Sequence, residues 1–205
     1  MTRSFTEQEK EEIRKRLLEL GLKHFSTYGF KKTNVDEIAR AAGISKGAFY
    51  RFYESKEMLF MDVMEEVEVR GRVEIMKAIH TPGPTPRARF YGILKGAFNL
   101  FRELPIMHFF SAGDLGTLMR QIPAEKFREH IASDEGFFDQ LLTACREAGI
   151  PVTVGAADIV NMLYPLVIAF LSDTEPGEIS LTANLDANLE LIAAYCVGEV
   201  TLECQ

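Results

Sequence analysis

The stretch Ser45-Lys46-Gly47-Ala48-Phe49-Tyr50-Arg51-Phe52 holds residue types suited to grasping a charged, hydrogen-bonding polymer. Read as a short helix, it turns Phe49 inward and leaves Lys46, Gly47, Tyr50 and Arg51 toward the outside. Lys46 and Arg51 carry donors for guanine edges or phosphate oxygens, Gly47 and Ala48 let the backbone come close, and Tyr50 offers a hydroxyl. Ser45 has the side-chain oxygen needed to cap such a helix. Lys56 and the N–H groups that open the following helix make a further phosphate site. The bland alternative is a solvated polar face, so the surrounding elements have to decide.

Those elements read as helix nearly throughout. From Glu7 to Tyr28, Ile13, Leu17, Leu20, Gly21, Phe25 and Tyr28 recur at three or four residues, which makes an amphipathic helix. Gly29 supplies the left-handed residue that stops it. Thr33 is expected to cap a second short helix, with Val35, Ile38, Ala39 and Ala42 on its apolar face. Gly43 ends that helix, Ile44 is an apolar plug, and a third helix runs from Ser45 to about Phe52. Ser55 caps a fourth that continues to about Ile79. Two helices joined by a four-residue turn containing glycine, flanked by long helices, form a helix-turn-helix whose second member enters the major groove. Thr33 and Asn34 then join Ser45, Lys46, Gly47, Ala48, Tyr50, Arg51 and Lys56 as expected DNA contacts.

The runs Phe25-Ser26-Thr27-Tyr28-Gly29-Phe30, Thr33 through Gly47, and Phe49-Tyr50-Arg51-Phe52-Tyr53-Glu54-Ser55-Lys56-Glu57-Met58-Leu59 together resemble the signature of the tetracycline-repressor (TetR) family. The match is dense, spans some 35 residues, and departs visibly only at Tyr53, where that family more often has Phe. The resemblance implies an all-helical homodimer with small N-terminal DNA-binding domains and larger C-terminal domains that pair through their last two helices. It also implies repression as the usual outcome. Beyond about the first sixty residues it supplies architecture and no ligand.

Composition fits an ordinary globular chain: 47% hydrophobic and 26% charged residues, with a net charge of −7. Divided at Glu57, residues 1–57 hold twelve Lys and Arg against nine Asp and Glu, while residues 58–205 hold eleven against twenty-one. A mildly basic head on an acidic body is held toward phosphates while the rest is repelled. We therefore expect a DNA-binding domain at 1–57 and a ligand-binding and dimerisation domain at 58–205. Cys145, Cys196 and Cys204 show no disulfide or zinc spacing, and no signal or membrane-length apolar run is evident, so a cytoplasmic location is expected.

In the second part, His80 to Pro86 holds three prolines and reads as a loop. Helices are expected from Arg87 to Pro105, Met107 to Met119, Pro123 to Ala148, Ala156 to Leu171 and Ala183 to about Glu203. The last two are strongly apolar. Ile159, Leu163, Val167, Leu185, Leu189, Ile192 and Cys196 are expected to pair with a second copy in a four-helix bundle. Nine of the fifteen phenylalanines follow Pro84, and with nearby methionines they suit an adaptable apolar pocket. Phe90, Tyr91, Leu94, Phe98, Phe101, Met107, His108, Phe110, Asn161 and Tyr164 are its expected ligand contacts.

The chain has no GxSxG, HExxH, Walker lysine or glycine-rich dinucleotide loop. Its four histidines show no pairing at three or four residues, so no metal site, cofactor or catalytic residue is expected. The expected function is a repressor released from palindromic operator DNA by a small apolar or aromatic molecule. Two rivals stand beside it: an activator or DNA-coating factor on the same fold, and a helical enzyme with an apolar pocket.

Overall fold

The computed structural model describes residues 5–109, 118, 120–172 and 184–200, and its regular structure there is helical. Helix α1 spans Glu7–Lys32. Thr6 opens it with a capping box, its hydroxyl accepting from the Glu9 N–H while the Glu9 carboxylate accepts from the Thr6 N–H. The helix buries Ile13, Leu17 and Phe25, and it breaks at Gly29, where φ is 77°. The break returns Phe30 onto Phe25, with ring centroids 6.0 Å apart.

Helices α2 (Val35–Ala41) and α3 (Lys46–Phe49) make the helix-turn-helix, and α4 (Lys56–Ala78) leaves it as a long rod. The cap of α2 differs from expectation. Asn34 is the N-cap, its Oδ1 accepting from the Asp36 N–H at 2.9 Å. Thr33 is turned inward, and its hydroxyl donates to the Gly29 carbonyl at 2.7 Å. The end of α1 leaves carbonyls that need donors, and Thr33 satisfies one of them. Helix α3 is also shorter than the run to Phe52. Its winding tightens beyond Phe49 into bonds from Arg51 N–H to the Ala48 carbonyl and from Phe52 N–H to the Phe49 carbonyl.

The body contains α5 (Pro86–Glu103), a 3-10 turn (Pro105–Phe109), α6 (Ala124–Glu147), α7 (Ala156–Ser172) and α8 (Leu185–Cys196). The helix expected from Met107 to Met119 is replaced at its start by that 3-10 turn, and its middle lies outside the described residues. Helix α5 packs on α8 and α6 on α7, while α1 lies against both α4 and the 3-10 turn. Gly21 permits the approach of α1 to α4, because a Cβ there would sit 3.0 Å from Cγ2 of Val63.

Two apolar cores result. The first joins Leu17, Phe25, Ile38, Phe49 and Phe60 to Met61 and Met64, and it takes in Ile106, Met107, Leu118 and Ile122 from the body. The second gathers Phe90, Leu94, Leu141, Cys145, Ile159, Leu189 and Cys196. Helix α4 runs past both.

This packing encloses three of the seven residues expected on the pairing face and leaves others partly open. Ile159, Leu189 and Cys196 are fully enclosed within their own chain, and Leu163 is buried. Val167, Leu185 and Ile192 are half-buried against the second core. The stripe of α8 covers α5, so its apolar residues already have an intramolecular partner; the large apolar residue left outside on α8 is Leu191, 64% exposed. Cys145 and Cys196 are free thiols inside this core. No helix among the described residues is long and apolar enough to cross a membrane.

Candidate nucleic-acid interface and ligand cavity

The head exposes a small polar face. Ser45 holds the start of α3 by accepting the Ala48 N–H at 3.1 Å, and Phe49 locks the opposite side into the first core. Lys46, Gly47 and Tyr50 are thereby left exposed, and the space beside Gly47 is open. Tyr50 stands edge-on to Phe49 at 5.4 Å, which sets its ring. Lys46 reaches back to Asp36 on α2 at 3.0 Å. That hydrogen bond and the charge of Asp36 hold its ammonium above the usual range. Both groups are well exposed, so the pair is weak and easily exchanged for a phosphate.

Two expected contacts have other partners. Lys56 donates to the carbonyls of Phe30 at 2.8 Å and Thr33 at 3.2 Å, and its ammonium lies 4.5 Å from the Phe30 ring centroid. It closes the end of α1 where a phosphate contact was expected. Arg51 lies over the Phe5 ring at 5.4 Å, in a hollow bordered by Glu7, Glu11 and Arg14.

Between α4, α5, α6 and α7 lies a cavity of about 250 Å³. Phe60, Met64, Phe98, Phe101, Phe138 and Leu163 give it apolar walls, and Met107, Phe127 and Tyr164 also border it. Its polar end is formed by Glu68 of α4 with His130 and Asp134 of α6. The Glu68 Oε2 faces His130 Nδ1 at 3.7 Å, and His130 Nε2 faces Asp134 Oδ2 at 3.7 Å. Both gaps are too long for a hydrogen bond. Glu68 Oε2 and His130 Nδ1 are fully enclosed and lack a hydrogen-bond partner among the described residues. Asp134 is engaged elsewhere, receiving Arg72 at 2.7 Å. Burial, with help from Asp134 and Glu65, pushes the Glu68 carboxyl up to about 8, against the pull of Arg72. Lys126 completes the seam between α4 and α6 by bridging Asp62 at 3.1 Å and Glu65 at 3.0 Å.

A model of the bacterial regulatory proteins of the tetR family matches residues 17–63, which contain the whole helix-turn-helix. The head of the chain is thus similar to the DNA-binding domain of that family. The chain is 37% identical over 79 residues to the HTH-type transcriptional regulator AcrR of Shigella flexneri, covering 38% of this chain and 37% of AcrR. It is 27% identical over 163 residues to the regulator EthR of Mycolicibacterium smegmatis, covering 74% of this chain and 71% of EthR. The chain thus spans well under two thirds of the AcrR length. Its fold resembles that of the fatty acid degradation regulator FadR from Bacillus halodurans, with a TM-score of 0.56 at 16% identity over 93% of this chain and 97% of FadR.

On this helical frame the expected ligand contacts divide. Phe98, Phe101, Met107 and Tyr164 border the cavity. Phe90 and Leu94 do not, because they fill the second core between α5 and its neighbours. Tyr91 is half-buried and accepts from Lys95 at 3.2 Å, beside Asp186. Asn161 is exposed on the outer side of α7, since Val160 and Leu163 take the inward positions. The side chain of His108 and all of Phe110 lie outside the described residues.

The residues that sequence reasoning missed lie on α4 and α6. Met61, Met64 and Glu68 follow one another at three and four residues, so a carboxylate continues an apolar stripe. His130 and Asp134 stand four apart on one face of α6, and only tertiary packing brings Glu68 beside them.

Proposed function

We propose that this chain is a ligand-responsive, DNA-binding transcriptional regulator that acts as a homodimeric repressor in the cytoplasm. Residues 1–57 serve as the DNA-binding domain, and residues 58–205 bind the effector and dimerise. One observation carries the reading: Phe60, Met61 and Met64 belong to the core that supports α3, and they are also a wall of the cavity. Whatever fills the cavity presses on the platform that presents Lys46, Gly47 and Tyr50.

In this reading Lys46 and Tyr50 contact base edges, and Ser45, Gly47 and Ala48 let the backbone approach the groove. Asn34 and Arg51 touch the DNA backbone. Thr33 and Lys56 act indirectly, by fixing the angle between α1 and the recognition helix. The two copies pair through the outer faces of α7 and α8, where Ala157, Pro165 and Leu191 are exposed. Two-fold symmetry then demands a palindromic operator with half-sites about one turn, ~34 Å, apart. An apolar molecule that favours the splayed dimer tilts α4 and spoils that spacing.

Footprinting of purified protein on the DNA flanking its own gene tests the proposal. One or two protected palindromes near a promoter are expected. Uniform coating, or no protection at low salt, would overturn it.

A further inference from the structure

We infer that Asp36 is a specificity-determining residue of the DNA interface, and that with Lys46 it forms a two-headed reader that selects a C·G base pair in each half-site. The inference rests on the head being the DNA-binding domain. Lys46 Nζ donates to Asp36 Oδ2 at 3.0 Å, with the two side chains 55% and 42% exposed. This pair joins the two helices of the helix-turn-helix, whereas the exposed pairs Lys10–Glu7, Arg70–Glu66 and Lys77–Glu74 each lie along a single helix.

The fold does not call for it. Ile38, Ala39, Ala42 and Phe49 are buried together and fix the angle between α2 and α3, and the Ile44 N–H closes the turn on the Ala39 carbonyl at 3.0 Å. An ion pair so open to water adds little to stability. What the pair does have is a fixed place. Asn34 Oδ1 accepts the Asp36 N–H at 2.9 Å, and Ser45 Oγ accepts the Ala48 N–H just beyond Lys46 at 3.1 Å. Lys46 begins the recognition helix, where side chains reach base edges, and Asp36 lies in the first turn of the helix that crosses the backbone. The space beside Gly47, the next residue, is open.

The pair presents an acceptor and a donor one hydrogen-bond length apart. A C·G pair presents the complement on its major-groove edge, where cytosine N4 donates and guanine O6 accepts. Those two atoms are joined by the hydrogen bond between the bases, so they also stand one hydrogen-bond length apart. The Asp36 carboxylate accepts from N4, while the Lys46 ammonium donates to O6 and, with a further proton, to N7 beyond it. An A·T pair offers adenine N6 and thymine O4 in the same way, but beyond O4 stands the thymine methyl, which gives the ammonium no acceptor. At a wrong sequence Lys46 moves to a phosphate, and Asp36 is left unpaired beside the charge of the DNA and repels it. One carboxylate thus favours one base pair and opposes non-specific binding.

The test is to sequence the duplexes that the full-length protein retains from a pool with a randomised centre, for wild type, Lys46→Ala, Asp36→Ala and Asp36→Asn, with the melting transition of each variant measured alongside. Wild type is expected to retain palindromic sites with a C·G pair whose guanine Lys46→Ala no longer selects. Asp36→Ala should lose the cytosine preference at that same pair by about tenfold, keep the other preferences, and bind alternating poly(dA-dT) more tightly than wild type. Asp36→Asn keeps the shape and gives the sharper outcome: an amide pairs with adenine N6 and N7, so adenine should replace cytosine at that one position. A merely structural carboxylate would not move the preference from one base to another. Cytosine retained at full strength in Asp36→Asn, or changes at different base pairs in the Asp36 and Lys46 variants, would overturn the inference and leave the DNA-binding reading standing. If wild type retains no sequence in preference to the pool, that reading falls and the inference with it.

Discussion

At the head, Thr6, Asn34, Ser45 and Ser55 each accept a backbone N–H at the start of a helix, and Lys56 closes the end of α1. Around the cavity the closure stops: Glu68 and His130 enclose polar atoms facing each other across 3.7 Å, and aromatic walls meet a void. The head is finished by its own sequence, as suits an element that must present Lys46 and Tyr50 in one geometry. In the proposed reading the cavity is finished by an effector. The two regions nevertheless share Phe60, Met61 and Met64, so the incomplete region sits directly beneath the complete one.

The largest expected effect comes from breaking the shared wall. Phe60 is buried between Phe25 and Phe30, with edge-to-face contacts at 5.1 and 5.2 Å. Phe60→Ala should cost about 3–5 kcal/mol of unfolding free energy, measured by urea denaturation. A loss below about 1 kcal/mol would mean that this core supports neither region.

Next comes the pH profile of stability. The folded-state value for Glu68 is raised from 4.5 to about 8, so the folded protein holds this proton more tightly than the unfolded chain. Its contribution is fully present below about 4.5 and is lost as pH rises through about 8, by up to about 1.4 kcal/mol per pH unit. Glu68→Gln should flatten the fall in melting temperature between about pH 5 and 8. A variant profile parallel to the wild-type one would remove the contrast between head and cavity.

Effects of one to three kcal/mol are expected at the head. Lys46→Ala should weaken operator binding by about 1–3 kcal/mol wherever a base is read, because its exposed pairing with Asp36 is easily exchanged. Lys56→Met should instead lower stability by about 1–2 kcal/mol through the lost charged hydrogen bonds to Phe30 and Thr33. It should leave the salt slope of DNA binding unchanged, and a slope reduced by about one would return Lys56 to the phosphates. The smallest change in the folded protomer is expected at the surface. Leu191→Glu should leave the melting transition of the protomer nearly intact while sedimentation shows monomers, whereas persistent dimers would move the interface off α8.

The head was legible because its signals are local. Glycine at 29 and 43, oxygen caps at 45 and 55, and apolar spacing in α1, α2 and α4 act within a few residues, and the structure follows them except at Thr33. There the choice between capping α2 and closing α1 depends on burial, which the sequence does not display. The cavity was legible only in kind. Aromatic richness marked α5, yet it could not say which rings face the void, so Phe98 and Phe101 lie on it while Phe90 and Leu94 are core. The polar end was hidden because Glu68 and His130 lie 62 positions apart. Which residues of α8 meet a second copy was not legible for a related reason: an apolar stripe on α8 has the same pattern whether it covers α5 or a second copy.

Coupling between cavity and head can be measured directly, without knowledge of the natural effector. Leu163→Trp places a bulky side chain in the cavity as a permanent occupant against the shared wall. Its affinity for the footprinted operator, measured by fluorescence anisotropy alongside its melting temperature, is predicted to fall by about 10- to 100-fold, or up to about 2.7 kcal/mol, in a protein that remains folded and dimeric. A folded, dimeric Leu163→Trp protein that binds the operator as tightly as wild type would contradict the account.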